Sequence, residues 1–236
     1  MEHFVHPGRV LIAGKSKSGK TTLAVKIILK KYSPKVDRIM FLCPTYHQPA
    51  FDPVRHLLKE KRDVFNTDDE NAIKVIEKQL QEQRNICVKM GLPPVETLLF
   101  IDDMAGKKMM HGNRHSPFAN LSLHCNHLHL SIIVLTQQPM GITPSFRENI
   151  DCLICYPSLK RTDREWLFNE YNCMMKKKTF IKLVKQAWKG PGNTEYSEFG
   201  EHFLFIVFPV RAAPRYFIDF SHELSTRNPK QQIDNE

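Results

Sequence analysis

Residues 9–22 read RVLIAGKSKSGKTT. Arg9–Ala13 is a short apolar run that ends at a glycine, and beyond it Leu23, Ala24, Ile27 and Ile28 fall on one helical face over Thr22–Lys31. The order is therefore strand, loop, helix. Within the loop, Gly14-x-x-x-x-Gly19-Lys20-Thr21 matches a phosphate-binding pattern that acquires meaning only between a strand and a helix. Glycines let the backbone of Gly14, Lys15, Ser16, Lys17, Ser18 and Gly19 fold around phosphates, so that N–H groups and the helix N-terminus face negative charge. Lys20 is expected to contact the β and γ phosphates, and Thr21 to hold Mg²⁺ through its hydroxyl, with Thr22 completing the set. ATP and Mg²⁺ are the cofactors this predicts.

Outward from this loop, further apolar runs recur. Arg38–Cys43, Thr97–Ile101, Ser131–Thr136 and Asp151–Tyr156 each read as a buried strand, because large apolar residues follow one another without alternation. Helices are predicted between them. One begins after Thr67, with Thr67 and Glu70 as a capping box and Ile73, Ile76 and Leu80 as its apolar face, and another spans Pro117–Leu128. Beyond Pro157 come two helices, Asp163–Tyr171 and Lys176–Lys189, then strands Phe203–Phe208 and Tyr216–Phe220 that should extend the sheet edge. Strands alternating with helices imply an α/β fold, a mostly parallel sheet flanked by helices on both faces, with ligand chemistry at the carboxyl ends of the strands. The expected division is one domain over 1–220, with a core at 5–157, an extension at 158–220 and a loosely ordered tail at 221–236.

Three candidate elements sit at such strand ends. Leu98-Leu99-Phe100-Ile101-Asp102-Asp103 is an apolar strand delivering carboxylates, as a Walker B element does: Asp102 for the metal, Asp103 as the base for the attacking water. A loop carboxylate capping the next turn is the alternative for Asp103. Gln137, in TQQP after the fourth long strand, is placed to bond both water and a phosphate oxygen. Between them, AGKKMMHGNRHSPF has little apparent hydrophobic anchoring and carries Arg114, a candidate arginine finger for a neighbouring subunit, with Arg147 in PSFREN competing for the role. Lys107 and Lys108 face either solvent or a DNA backbone. Cys152 and Cys155 suggest zinc, but three residues apart on a strand they point to opposite faces, which argues against a shared ion.

The order P-loop, CPTYHQ, LLFIDD, NRH and SIIVLTQQP followed by PSFREN, over roughly residues 5 to 175, resembles the genome-packaging ATPases of large double-stranded DNA viruses and virophages, within the FtsK/HerA superfamily. The resemblance implies a RecA-like P-loop fold and a homo-oligomeric ring, hexamer or pentamer. It also implies ATP hydrolysed at subunit interfaces and double-stranded DNA driven into a preformed capsid, with capsid or portal vertex proteins as partners. It assigns Lys20 and Thr21 to Walker A, Asp102 and Asp103 to Walker B, Gln137 to the glutamine after the fourth strand and Arg114 to the trans finger. The Asp-Asp pair departs from the Asp-Glu that many members carry.

Composition agrees in outline. The chain has 236 residues, 42% hydrophobic, and 34 Lys+Arg against 25 Asp+Glu give a charge of +9, which favours a polyanionic partner. Its longest apolar run, Phe203–Phe208, is too short to span a bilayer, and six scattered cysteines suit a reducing compartment. An intracellular site of viral assembly, without a membrane partner, is the expectation. Six lysines and no acidic residue in Lys176–Lys189 leave a DNA contact and a solvated helix face both open. A P-loop nucleoside or nucleotide kinase is the main rival, although no compact arginine cluster supplies its lid. A DNA translocase or helicase outside packaging is a nearer alternative. A GTP switch is suggested by Asp103-Met104-Ala105-Gly106 but lacks an NKxD element.

Overall fold

The structure, a computed structural model, describes residues 3–67, 71–102, 104, 110, 116–157, 161–172, 175–191, 196–197 and 200–224. Its strands are β1 (Arg9–Ala13), β2 (Arg38–Leu42), β3 (Val64–Phe65), β4 (Thr97–Ile101), β5 (Leu130–Thr136), β6 (Cys152–Cys155), β7 (Tyr196–Ser197), β8 (Gly200–Glu201), β9 (Leu204–Val207), β10 (Arg215–Ile218) and β11 (His222–Leu224). Helices are α1 (Lys20–Ile27), α2 (Asp52–Arg55), α3 (Glu60–Asp63), α4 (Ala72–Met90), α5 (Pro117–Leu123), α6 (Pro144–Arg147), α7 (Arg161–Tyr171) and α8 (Lys177–Lys189).

Nine strands form one sheet in the order β11-β10-β9-β6-β1-β5-β4-β2-β3. From β3 to β6 the strands are parallel, and β9, β10 and β11 continue the sheet in antiparallel pairing. Alternate residues of each strand enter different cores. Leu11, Leu99, Ile101, Ile132 and Val134 pack with Ile73, Ile76 and Leu80 of α4, Phe118 of α5 and Phe180 of α8. Val10, Ile12, Phe41, Phe100 and Ile133 pack on the opposite face with Leu23, Ala24 and Ile27 of α1. The unbroken apolar strands thus mean what they predicted, burial on both faces. Cys152 and Cys155 do enter opposite cores, and the five described cysteines are buried and not in disulfides.

Several boundaries differ from expectation. The helix after Gly19 gives way to a π-helical turn, Ile28–Tyr32, whose Ser33 N–H bonds Ile28 O at 2.8 Å and which seats Tyr32 in the core. Thr67 does not open α4, which begins at Ala72 with Asn71 in the capping position, and Glu70 lies outside the described residues. The predicted helix to Leu128 stops at Leu123 instead. The chain must turn there, because Leu130 starts β5 opposite Thr97, and Leu130 N–H bonds back to Cys125 O at 2.9 Å. The tail expected to be loose from Ser221 includes β11, paired with β10 and flanked by an Arg215–Glu223 ion pair at 2.6 Å. Among the described residues no helix is long and apolar enough to cross a membrane.

Arg38, at the start of β2, is only 8% exposed. Its guanidinium donates to Asp63 at 2.7 Å, Gln79 at 2.8 Å and Gln83 at 3.0 Å, tying β2 to α3 and α4. Burial alone would raise the pKa of Asp63, but hydrogen bonds from Arg62 and Arg38 outweigh it and hold the carboxyl below its ordinary value. Removing one partner of such a buried pair leaves an uncompensated charge. Asp63→Ala is expected to destabilise the fold by about 3–5 kcal/mol at neutral pH, measured by denaturant unfolding. Because the folded-state pKa is depressed, this contribution is full above an ordinary carboxylate pKa of ~4 and is lost as pH falls through the folded value, so wild type and variant should converge in acid.

Candidate nucleotide-binding site

The loop after β1 is shaped by what its backbone must do. Gly14 N–H bonds Thr136 O at 3.1 Å, carrying the β1–β5 pairing one residue past β1. A Cβ on Gly14 would lie 2.7 Å from Tyr156 Cβ and 3.0 Å from Ser18 Oγ, so only glycine fits there. Lys17 and Gly19 take positive φ, 62° and 98°, which turns successive N–H groups toward the loop interior before α1 begins at Lys20. Lys20 is 8% exposed, and its ammonium donates to Lys15 O, turning the side chain back toward the loop. Ser18 Oγ is buried without a hydrogen-bond partner. A loop of this shape, with an unused hydroxyl and a lysine at its mouth, fits phosphate oxygens.

The loop borders a cavity of about 370 Å³. Ser16, Lys17, Lys20 and Thr21 line one side, Asp102 and residues 135–138 the other, and Thr45 and Gln48 close the end. Strand order explains this convergence. Between β1 and β4 lies β5, so Gln137 leaves the sheet between Gly14 and Asp102. Register keeps the exits level: Ala13 is opposite Thr136, Ile101 opposite Val134, and Asp102 N–H bonds Leu42 O at 3.1 Å. Thr136 Oγ1 accepts from Gln138 N–H at 2.9 Å and turns the chain toward Pro139. Gln137 is exposed to the cavity.

Of the residues expected at the site, Ser16, Lys17, Lys20, Thr21, Asp102 and Gln137 are brought together around this cavity. Gly14, Lys15, Ser18 and Gly19 form the loop itself, and Thr22 is exposed on α1 outside the lining. Asp103, Lys107, Lys108 and Arg114 lie outside the described residues. Arg147 is committed elsewhere: 6% exposed, it donates to Ile142 O at 2.9 Å and pairs with Glu170, and burial pulls its pKa down. A side chain held in its own core does not reach a neighbouring subunit. The expectation of little hydrophobic anchoring over 105–118 also fails, since Met110 is fully buried, as is Met104 just before that stretch. Met110 O further accepts from Thr143 N–H at 2.8 Å. Unbranched thioethers fill core gaps while reading as loop residues. His124 and His127 are exposed, and among the described residues no group of three His, Cys, Asp or Glu could hold a metal.

Sequence reasoning gave no site role to Thr45, Gln48, Gln138 or Glu201. Thr45 and Gln48 follow a buried strand ending at Pro44, a position that could have flagged them. Glu201 pairs with Lys15 at 2.7 Å across the P-loop and has no local signal at all. Beside it, Tyr156 backs Gly14, and burial, then Asp219 and Glu201, push its pKa well up, so the phenol stays neutral.

Fold and site together define a P-loop NTPase. A family profile described as Poxvirus A32 protein matches residues 3–190, and the chain belongs to that family. Among solved structures, the genome packaging NTPase B204 from Sulfolobus turreted icosahedral virus 2, in complex with ATP-gammaS, is similar with a TM-score of 0.59 at 18% identity, covering 90% of this chain and 97% of that one. B204 described as the DNA-packaging ATPase from Sulfolobus turreted icosahedral virus gives 0.57 at 14%, covering 90% and 97%. EssC (ATPases 2 and 3) from Geobacillus thermodenitrificans gives 0.53 at 14%, covering 94% of this chain and 41% of that one. At such identities the likeness is one of fold. No curated protein matches the chain.

Gly14→Ala must displace either Tyr156 or the loop. It is expected to weaken binding of a non-hydrolysable ATP analogue at least about tenfold, or ~1.4 kcal/mol, in calorimetric titration. Unchanged affinity would mean that phosphates do not sit against this backbone.

Proposed function

We propose that this chain hydrolyses ATP to drive double-stranded DNA into a preformed viral capsid. The observation that carries the reading is the convergence of Lys20, Gln137 and Asp102 on one cavity at the carboxyl ends of β1, β5 and β4. Membership of the poxvirus A32 protein family and the likeness in fold to B204, described as a genome packaging NTPase, support it. Bound ATP with Mg²⁺ supplies the anhydride to be cleaved and a metal that spreads its charge. In this reading the P-loop N–H groups and Lys20 hold the phosphates, and Thr21 and Asp102 hold the metal. Asp103 is the base and Gln137 orients the attacking water.

Arg114 acts as the finger from a neighbouring subunit, within a homo-oligomeric ring, hexamer or pentamer, that docks on capsid or portal vertex proteins where virions assemble in the infected cell. Residues 1–220 form the motor domain. Arg147 being internally committed leaves Arg114, of the two, as the candidate finger. A kinase reading gains nothing from the cavity, whose described lining contains no arginine to close over a phosphoryl acceptor.

ATP turnover is expected to rise when duplex DNA is added. Absence of stimulation, together with phosphoryl transfer to a nucleoside, would replace the motor with a kinase. Lys20→Ala and Asp102→Ala should each abolish turnover. Arg114→Ala should lower it by roughly 10³-fold or more. Mixing Arg114→Ala subunits with Lys20→Ala subunits should restore activity, because a mixed interface joins an intact cradle to an intact finger. If mixing restores nothing, Arg114 does not act in trans.

A further inference from the structure

We propose that the outer face of α8 is a track for the phosphate backbone of duplex DNA, linked mechanically to the P-loop; this rests on the DNA-translocating reading above. Phe180, Leu183, Val184 and Ala187 are the buried stripe of α8. Lys178, Lys182, Lys185 and Lys189 follow one another at helical steps of four, three and four, which places them in a single row opposite that stripe. All four are exposed. The row is about 16 Å long at 1.5 Å per residue, enough to face several consecutive phosphates at about 3.4 Å per step along a strand.

Among the described residues, no carboxylate of the neighbouring elements forms an ion pair with this row. On α7, Glu165 is paired with Arg161 at 3.1 Å and Glu170 with Arg147. On β10 and β11, Arg215 takes Glu223 at 2.6 Å. Among the described residues, none of the α8 lysines has an ion-pair partner, and Lys177 instead rests over the Phe168 ring at 5.7 Å. Lys177 and Lys178 also sit in the first helical turn, with no acidic residue there, against the sense of the helix dipole. Apart from the Lys177 contact with Phe168, the described residues give these charges no ion pair within the fold. A backbone of phosphates does compensate them, through release of its condensed counterions.

Two contacts connect this helix to the nucleotide site. Trp188 Nε1 donates to Cys155 O at 3.0 Å, at the end of β6, and Cys155 lies opposite Ala13 in the register of β1. The next residue, Tyr156, is the side chain seated against Gly14. On the other side, Gly190 ends α8 with the His202 ring packed where its Cβ would be, and the adjacent Glu201 holds Lys15 of the P-loop. A pull on the lysine row therefore reaches both ends of the loop segment Gly14–Lys15.

The test compares three full-length variants by fluorescence anisotropy on a short duplex over a range of salt. Replacing Lys178, Lys182, Lys185 and Lys189 together by Gln should weaken duplex binding more than about tenfold and reduce the slope of log affinity against log salt by roughly 3 to 4. Replacing the same four by Arg should preserve both. A control with Lys30, Lys35, Lys74 and Lys89 changed to Gln removes equal charge from exposed sites elsewhere and should move the slope much less. Thermal melting and DNA-free ATP turnover of the Gln variant should match wild type, while stimulation by duplex DNA is lost. If wild type binds duplex but the two Gln variants behave alike, the α8 track is wrong and the packaging reading stands. Wild type that binds no duplex overturns both. Loss of binding to phosphatidylserine vesicles, with duplex binding intact, would reassign the row to a membrane and also overturn the track.

Discussion

Both faces of the central strands are closed by apolar side chains, so polar chemistry can leave this sheet only at the strand ends. That single constraint arranges the site. Because β1, β5, β4 and β2 run parallel and nearly level, their carboxyl ends present Gly14, Gln137, Asp102 and Thr45 along one edge. The position of β5 between β1 and β4 is what puts an amide between a phosphate cradle and a carboxylate. Had β4 paired directly with β1, Gln137 would stand outside that gap.

The parts of this arrangement that are local in sequence were legible there. Strands buried on both faces write themselves as unbroken apolar runs, and each of the five expected in the core is found within about one residue of its reading. The P-loop is a contiguous segment with glycines at the two places where the backbone demands them. Asp102 and Gln137 were readable because each directly follows such a run. Contacts made by distant segments were not readable. The Lys15–Glu201 pair joins residues 186 positions apart, and nothing near either residue announces the other. Met110 reads as a loop residue, yet it is core, since burial depends on the cavity it fills. Arg147 reads as a surface cation and is an internal tie for the same reason. The early end of α5 reflects a demand from β5, not from the helix itself.

The C-terminal extension is more than a cover for the sheet. Its strands continue the β6 edge, its helix α8 anchors on Cys155 O, and its Glu201 touches the loop that begins 187 residues earlier with Gly14. Elements that sequence alone treats as an appendage are thus in register with β1 through β6. Buried aromatic rings, Tyr156 on Phe203 with centroids 5.2 Å apart and Phe203 on Phe220 at 5.1 Å, make that junction a packed one. Packed junctions of this kind shift between discrete arrangements more readily than they deform continuously.

One border of the sheet bears on how copies of the chain can meet. Beside β2, β3 is only two residues long, and the chain leaves the sheet at Asn66. Unpaired backbone groups along a long, flat border would recruit strands from other molecules, whereas a short border gives them little to grip. Growth by adding strand to strand at this border, the route to fibres, is thereby discouraged. Copies that meet on this side are left to recognise one another by side chains on loops and helices, where contact can be made and released without tearing a ladder of backbone hydrogen bonds.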